Sequence, residues 1–518
     1  WAYKGNWSCH AAVKYTWINF SIAWVAQNMN EKIKNLMDEG IFLDPDVISL
    51  IDDSSFDLIN GHANEIRGQV LNKSILDKLK LKYLKCENSS SQGESPLIGN
   101  VKIIDSYEDK LSKIEIGHFI EHYRTRYKFM SKLLQGRIEL TDVMSVSRTF
   151  SKMQREKVSL IGLVYSKKMT KNGNVMLEIE DPTGKIKVLI NSTKKEIFDM
   201  AKDIVPDEVI GLVGNMGNKI VFVNELFFPD VKIEDNIMKK SIINEHAAFI
   251  SDIHVGSDMF LEKEFEKFID WINGNSGSEE QQKMAKSVKY LFVIGDIVDG
   301  AGIYPNQEAE LSIPNIKDQY DQCAHYFSKM RSDLQIIVCP GNHDALRLAE
   351  PQPVLDEEFA SNLYAMDNVH IVSNPAVVNI GSKDNFEGFN VLMYHGYSFD
   401  YYIDQVESIR EQGGYDRADL VMKFLMKKRH LAPSHGSTLF VVEPDRDDLI
   451  IKDVPDFFAS GHIHKSSVSH YGKTTLISGS CWQAITKFQE KVGHHPEPCR
   501  VPLVSLQTRD VKLMKFCE

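Results

Sequence analysis

Histidine, aspartate and asparagine recur in five short polar motifs, and each motif follows an apolar run. The runs are typical of buried strands, and the polar residues begin where each run ends. Strand ends on one edge of a helix-covered sheet converge, and ligands bind at that edge. The spacing therefore predicts one cluster of side chains at the ends of five strands. The motifs are Asp252-Ile253-His254, Gly295-Asp296-Ile297-Val298-Asp299, Gly341-Asn342-His343-Asp344, His395-Gly396 and Gly461-His462-Ile463-His464.

The residue types in this cluster are those of a metal site. Carboxylate oxygen and imidazole nitrogen together favour Mn²⁺, Fe²⁺ or Zn²⁺ over Ca²⁺ or Mg²⁺. Seven ligands are too many for one ion that keeps an open position, but they suit two ions about 3.5–4 Å apart that share a carboxylate. Such a pair lowers the pKa of a water and neutralises a phosphoryl group during in-line attack. The expected ligands are Asp252, His254, Asp296, Asn342, His395, His462 and His464.

We predict that Asp296 is the shared ligand, because its strand is expected to lie at the centre of the sheet. The other six ligands then divide between the two ions. The predicted sets are Asp252, His254 and His464 for one ion, and Asn342, His395 and His462 for the other.

Five further residues are candidates for catalysis or substrate binding. His343 follows a predicted ligand and should point away from the ions, where it could protonate or hydrogen-bond the leaving oxygen. Asp299 could fix the tautomer of His343, and Asp344 is the second candidate for that role. Arg347 could clamp a substrate phosphate, with a surface salt bridge as the alternative. Tyr397 could line the substrate groove, with core packing as the alternative.

The order of the five motifs resembles that of the calcineurin-like phosphoesterase superfamily over about residues 247–479. Each motif alone is weak evidence, and the resemblance depends on their number and order. The dinuclear site of that family corresponds residue by residue to the seven expected ligands, with none missing. The resemblance implies an α/β fold, in the form of an α+β sandwich, that hydrolyses a phosphoester with two divalent metal ions.

Length, charge and cysteine content limit the class of protein. The 518 residues suffice for two to four domains, and 43% hydrophobic and 25% charged residues are ordinary for a globular chain. A net charge of −12 argues against coating nucleic acid through bulk positive charge, but not against an enzyme whose metals or partner supply that charge. Seven cysteines without a C-x-x-C pair favour a reducing cytoplasm. No apolar run reaches the roughly 18 residues of a membrane span.

The N-terminal part divides into three segments of different composition. Residues 1–28 are rich in Trp and poor in acids, and we interpret them as an upstream extension that is not native or is disordered. Residues 29–85 show helical spacing and predict a small helical domain. We expect this domain to contact another protein, with a freely tethered domain as the alternative. Residues 86–114 begin with a polar, aperiodic stretch and predict a flexible linker.

The next two segments lead to the predicted phosphoesterase domain at residues 240–518. Residues 115–150 interleave basic and aromatic side chains and predict a basic helical connector, with a solvated charged face as the default and a nucleic-acid or subunit contact as the alternative. Residues 151–235 give the element order of an OB-fold, an all-β barrel. OB-folds often bind single strands by aromatic stacking. Aromatic residues are few on the first three strands, so we prefer subunit docking over DNA binding.

This combination of segments resembles the small subunit of archaeal family-D DNA polymerases from about Met29 onwards. The supporting stretches besides the motifs are residues 119–127, 302–305 and 496–503. The resemblance implies a 3′→5′ proofreading exonuclease that acts on a DNA 3′ end, binds a large catalytic polymerase subunit and works with Mn²⁺. Residues 1–28 have no counterpart in the family pattern.

Two other functions stay open at this point. A stand-alone phosphoesterase would act on small phosphodiesters, and the OB-fold and basic helix argue against it. A catalytically inert scaffold subunit would need no metal, and the complete ligand set argues against that.

Overall fold

The chain divides into two compact units, residues 1–95 and 96–518. In the first unit the strands Phe42–Leu43 and Val70–Leu71 form a parallel pair. The upstream extension and almost all of the predicted small helical domain lie outside the described residues, so both stay predictions. The computed structural model describes residues 42–44, 59, 70–71, 100–109, 114–231, 238–383 and 385–517.

One part of the predicted flexible linker is a strand, so that prediction is wrong for these residues. Val101–Ser106 pairs antiparallel with Ala376–Ile380, and Val101 lies opposite Ile380. The strand is rich in β-branched residues, and its hydrogen bonds go to a partner about 270 residues away in the sequence. A local composition count could not reveal such a partner.

Two six-stranded sheets form the phosphoesterase region. In spatial order, the first sheet contains Val369–Ile371, Gln335–Cys339, Val288–Ile294, His246–Ile250, Arg500–Ser505 and Val511–Lys515. In spatial order, the second sheet contains Ser467–Tyr471, Thr474–Ser478, Phe457–Ser460, Phe389–Met393, Ala376–Ile380 and Val101–Ser106. The strand that precedes Asp296 is central in its sheet, as expected. The five motif strands, however, belong to two sheets and not to one.

The two sheets pack face to face around an aromatic core. Phe249 and Phe292 stack with ring centroids 4.9 Å apart, and Phe457 of the second sheet lies 6.2 Å from Phe249. All three side chains are fully buried. Burying each aromatic ring contributes about 1.5–3 kcal/mol, so this core fixes the two sets of strand ends relative to each other.

Helices cover the outer faces of both sheets and complete a four-layered sandwich. Those that pack on the first sheet are Glu262–Ile272, Glu279–Ser287, Ile316–Ser328 and Glu357–Tyr364. Those that pack on the second sheet are Phe399–Gln405, Glu407–Glu411 and Ala418–Lys428. The short helices are Val146–Thr149, Gln307–Glu310, Gly414–Asp416 and Lys487–Val492. Within the described part of the chain, no helix has both the length and the apolarity to cross a membrane.

Five strands upstream of the sandwich form a closed barrel. Numbered along the chain, the strands follow the order first, second, third, fifth, fourth around the barrel. The helix Lys195–Lys202 lies between the third strand and the fourth. The strands are Lys157–Met169, Val175–Asp181, Gly184–Ile190, Val209–Met216 and Ile220–Phe227.

The predicted basic connector contains the helix Ile116–Gln135, and one side of the helix is the expected solvated charged face, with Arg124, Lys128 and Lys132 exposed. The other side is buried. Met130 and Leu134 are buried against barrel residues. On the phosphoesterase side, Arg126 Nε donates to Asp447 Oδ2 at 2.7 Å, and both side chains are buried. The helix therefore joins the barrel to the phosphoesterase sandwich within this unit.

Candidate metal centre

The seven predicted ligands converge on one site, although their strands belong to two sheets. Asp252, His254, Asp296 and His395 are almost fully buried. Side chains form three groups, and within each group the ligand atoms lie within 4.8 Å of one another; the first two groups share His254. The groups are Asp252, His254 and His464; His254, Asp299 and His343; and Asp296, His395 and His462.

Five of the ligand residues have a left-handed backbone, which is uncommon for residues other than glycine. Such conformations cost of order 1–3 kcal/mol each and cluster at functional sites. The backbone turns directly after each strand end, and this directs the ligand side chains inward. The residues are Asp252 (φ 52°), His254 (φ 54°), Asp296 (φ 50°), His462 (φ 69°) and His464 (φ 55°).

Two glycines of the motifs are required by close approach. A Cβ on Gly341 would lie 2.2 Å from Asp296 Oδ1, and a Cβ on Gly295 would lie 2.3 Å from His395 Nδ1. Gly295 also has a φ of 76°. Neither position has room for a side chain, because the two strand ends meet there.

The first group places two imidazole rings against one carboxylate. His254 Nε2 lies 3.2 Å from His464 Nε2, and His464 Nε2 lies 3.3 Å from Asp252 Oδ1. The other nitrogen of His254, Nδ1, lies 3.1 Å from Asp299 Oδ1. Because that carboxylate holds the Nδ1 proton, the His254 Nε2 lone pair is available to a cation.

The second group places an imidazole lone pair among oxygen atoms. His395 Nδ1 lies 2.8 Å from the carbonyl oxygen of Ile294 and donates to it. Nε2 then faces Asp296 Oδ2 at 3.2 Å and Asn342 Oδ1 at 3.1 Å. A nitrogen lone pair against two oxygen acceptors is stable only if a proton or a cation lies between them. This donor set therefore fits a divalent metal ion.

The charges of the site shift the pKa values of its buried carboxyl groups. Burial opposes the ionisation of Asp296, but the charges of His395 and His343 outweigh it and hold the Asp296 pKa well below its usual range. Burial raises the pKa of Asp344 to about 7, and the charge of Asp296 acts in the same direction. Asp296 is therefore the ionised residue of the two, and the neighbouring Asp344 is protonated more readily.

The predicted partner of His343 is corrected by the structure. His343 Nδ1 lies 2.8 Å from the backbone carbonyl of Asp299 and donates to that oxygen. The Asp299 carboxylate instead contacts His254, and the Asp344 carboxylate accepts from the backbone of Gly341 at 2.7 Å. Both carboxylates thus support the ligand loops, and a carbonyl fixes the tautomer of His343.

A cavity of about 290 Å³ opens onto the cluster, and the two residues predicted to bind substrate lie differently with respect to it. Tyr397 lines this cavity, with its ring 5.8 Å from that of His462. Arg347 forms an ion pair with Asp109 and donates to the carbonyl of Pro351 at 3.0 Å. Arg347 therefore forms the salt bridge that was the alternative to a phosphate clamp.

Four ionisable residues that the sequence did not single out as site residues also line the cavity. Asp400 lies five residues after His395, and its Oδ2 is 3.0 Å from His462 Nε2. The remaining three residues come from parts of the chain without a strand-end pattern, so no local signal marked them. They are Tyr304, Tyr415 and His494.

Comparison with known proteins identifies the family. The sequence model of the calcineurin-like phosphoesterase family matches residues 246–466, and that family implies divalent metals. The DNA polymerase II small subunit of Methanothermobacter thermautotrophicus is 36% identical over 504 residues, which cover 94% of this chain and 100% of the relative. The DNA polymerase II small subunit of Archaeoglobus fulgidus is 34% identical over 485 residues, which cover 90% of this chain and 94% of the relative. The chain therefore belongs to the family of archaeal DNA polymerase II small subunits and contains a calcineurin-like phosphoesterase domain.

Proposed function

We propose that this chain is the 3′→5′ proofreading exonuclease subunit of a replicative DNA polymerase. The observation that carries the proposal is the convergence of seven oxygen and nitrogen ligands beneath one open cavity. The relatives are named as small subunits of a polymerase, which supports a DNA 3′ end as substrate and a large catalytic subunit as partner.

The donor set supports two divalent metal ions. Asp296 faces ligands of both groups, because its Oδ2 lies 3.2 Å from His395 Nε2 and 4.0 Å from His254 Nε2. We therefore assign Asp296 as the shared ligand. A histidine-rich set favours Mn²⁺, with Fe²⁺ or Zn²⁺ as alternatives. When bound, such ions supply a nucleophile near neutral pH and offset phosphoryl charge.

The protein's own residues orient the substrate and its leaving group. His343 lines the cavity and holds its Nδ1 proton on the Asp299 carbonyl, so Nε2 is the nitrogen left for the 3′ oxygen that departs. Tyr397 forms part of the cavity wall, where a sugar or base can pack. The released product would be a nucleoside 5′-monophosphate.

We further propose that the closed barrel, at residues 151–235, is an OB-fold that docks the large subunit. The strand order around the barrel and the helix before its fourth strand support this assignment. Phe222 is the exposed aromatic on the last strand, with 47% of its surface accessible. Tyr165 on the first strand is also exposed, and two rings on separate strands are few for single-strand stacking, so subunit contact is the preferred role.

The proposal is tested by Mn²⁺-dependent degradation of a 3′-mismatched primer–template, with the large subunit present. We expect wild type to release mononucleotides from the 3′ end. Asp296→Asn should abolish this activity, and His343→Ala should lower it by about 10²–10⁴-fold without loss of metal. His325→Ala, an exposed histidine on a helix outside the site, is the control and should keep full activity.

Two outcomes would contradict the proposal and favour another function. Hydrolysis of a small phosphodiester without any DNA degradation would support a stand-alone phosphoesterase. Pure protein that binds no transition metal would support an inert scaffold subunit.

A further inference from the structure

Three of the four metal-site histidines have an oxygen acceptor on one ring nitrogen, which leaves the other nitrogen for an ion. For His254 and His395 the acceptors are a carboxylate and a backbone carbonyl, with Asp299 Oδ1 3.1 Å from His254 Nδ1 and Ile294 O 2.8 Å from His395 Nδ1. His464 differs, because Gln489 Nε2 donates to its Nδ1 at 3.0 Å.

His462 has an oxygen acceptor of the same kind in Asp400, a residue that the sequence did not single out. Its Nε2 lies 3.0 Å from Asp400 Oδ2. Because a carboxylate accepts, Nε2 carries the proton, and Nδ1 is the nitrogen that remains for a cation. His462 would thus bind through Nδ1, whereas His254 and His395 offer Nε2.

Asp400 is held by an ordered element and not by a free loop. It lies in the first turn of the helix Phe399–Gln405, between Phe399 and Tyr402, which are both fully buried. The Phe399 amide donates to the carbonyl of Gly396 at 2.8 Å, which connects the helix to the turn after His395. The position of the carboxylate is therefore set by the same turn that follows another ligand.

We propose that Asp400 is a positioning residue that orients His462 for the second divalent ion. The inference rests on the two-ion site of the proposed function and assigns one more residue to it. The carboxylate acts through the imidazole and does not touch the ion. Asp299 has the corresponding relation to His254 on the other side of the site.

The test measures Mn²⁺ binding by titration calorimetry and by electron paramagnetic resonance in Asp400→Ala, Asp400→Asn and Asp404→Ala. Wild type should bind two ions and give the spectrum of an exchange-coupled pair. Asp400→Ala should weaken one ion about 10–100-fold and leave the six-line spectrum of an isolated ion. Asp400→Asn should keep the pair, because an amide oxygen still accepts from His462 Nε2. Asp404 is an exposed residue on the same helix, and its variant should match wild type.

Three outcomes would overturn the inference. An unchanged coupled pair in Asp400→Ala would show that His462 needs no such partner. Equal loss of the ion in Asp400→Asn and Asp400→Ala would mean that the carboxylate itself is a ligand. Wild type that binds fewer than two Mn²⁺ ions would remove the two-ion site and this inference together. The exonuclease assay is separate, since a chain that binds the pair but degrades no DNA loses only the proposed function.

Discussion

At the scale of single residues, the site depends on positions where no other residue type fits. Gly341 is one such position, because its Cα lies next to the Asp296 carboxylate in the space between two strand ends.

Glu350 is unusual for a different reason, which is the burial of an ionisable group. Its carboxyl group is fully buried and shares one hydrogen bond of 2.9 Å with the hydroxyl of Tyr394.

Gly341→Ala is expected to lower the proposed hydrolytic activity without unfolding the protein. The new Cβ would lie 2.2 Å from Asp296 Oδ1, so the shared ligand must move. A displacement of this size can lower turnover about 10²-fold. The measurement is hydrolysis of a small phosphodiester, with circular dichroism to check the fold. Gly117→Ala adds a Cβ in open space and should leave turnover unchanged, and equal activity of both variants would contradict the prediction.

Glu350→Gln is expected to change how stability depends on pH. Burial raises the pKa of Glu350 from 4.5 to about 7. Between these values the folded protein keeps a proton that the unfolded chain releases, so the wild-type free energy of unfolding falls as pH rises. The glutamine variant lacks this loss. Its free energy of unfolding, measured relative to that of wild type, should therefore increase by on the order of 3 kcal/mol from pH 4.5 to above pH 7. Parallel urea midpoints of the two proteins across that range would show the prediction to be wrong.

At the scale of elements, the connecting helix shows that a charge pattern does not distinguish exposed from buried basic residues. Its basic residues have two different environments. Arg126 is buried against Asp447, and Asp447 Oδ2 also lies 3.0 Å from His430 Nε2. Arg124, two residues earlier, forms an exposed ion pair with Glu121. The local sequence does not distinguish the buried arginine from the exposed one, because the partner of each depends on how the helix packs.

Arg126→Ala should destabilise the protein far more than Arg124→Ala. Removing Arg126 leaves a buried carboxylate without its main partner, which costs about 3–5 kcal/mol. Removing the exposed Arg124 should cost less than about 1 kcal/mol. Urea denaturation followed by tryptophan fluorescence compares the two. A similar small effect of both substitutions would mean that the helix does not depend on this buried pair.

At the scale of the whole molecule, the metal site joins two sheets and should therefore stabilise the sandwich. Its ligands follow strands of both sheets, so an ion bound there links them. At a Mn²⁺ concentration of 100 times Kd, one site adds about 2.7 kcal/mol to the free energy of unfolding. Chelation should lower the melting temperature of wild type, and Mn²⁺ should restore it better than Ca²⁺. The melting temperature of Asp296→Asn should respond much less, and an equal response would contradict a shared ligand.

Much of the fold and most of the candidate site could be predicted from local sequence. The barrel strands and the five motif strands of the sandwich follow from apolar runs, and the convergence of the seven predicted ligands follows from the polar residues at the ends of those five strands. The linker prediction failed at Val101–Ser106, and the burial of Arg126 was not predicted, because both have partners hundreds of residues away.

The sequence by itself determined which residue types stand at the strand ends and in which order, since a turn after a strand places its own side chains within one or two residues. Only the tertiary structure decided that these ends come from two sheets. It also decided that Asp299 supports His254 and not His343, and that Asp400 belongs to the site. Such contacts depend on how separate elements pack, and packing combines surfaces that no single stretch of sequence contains.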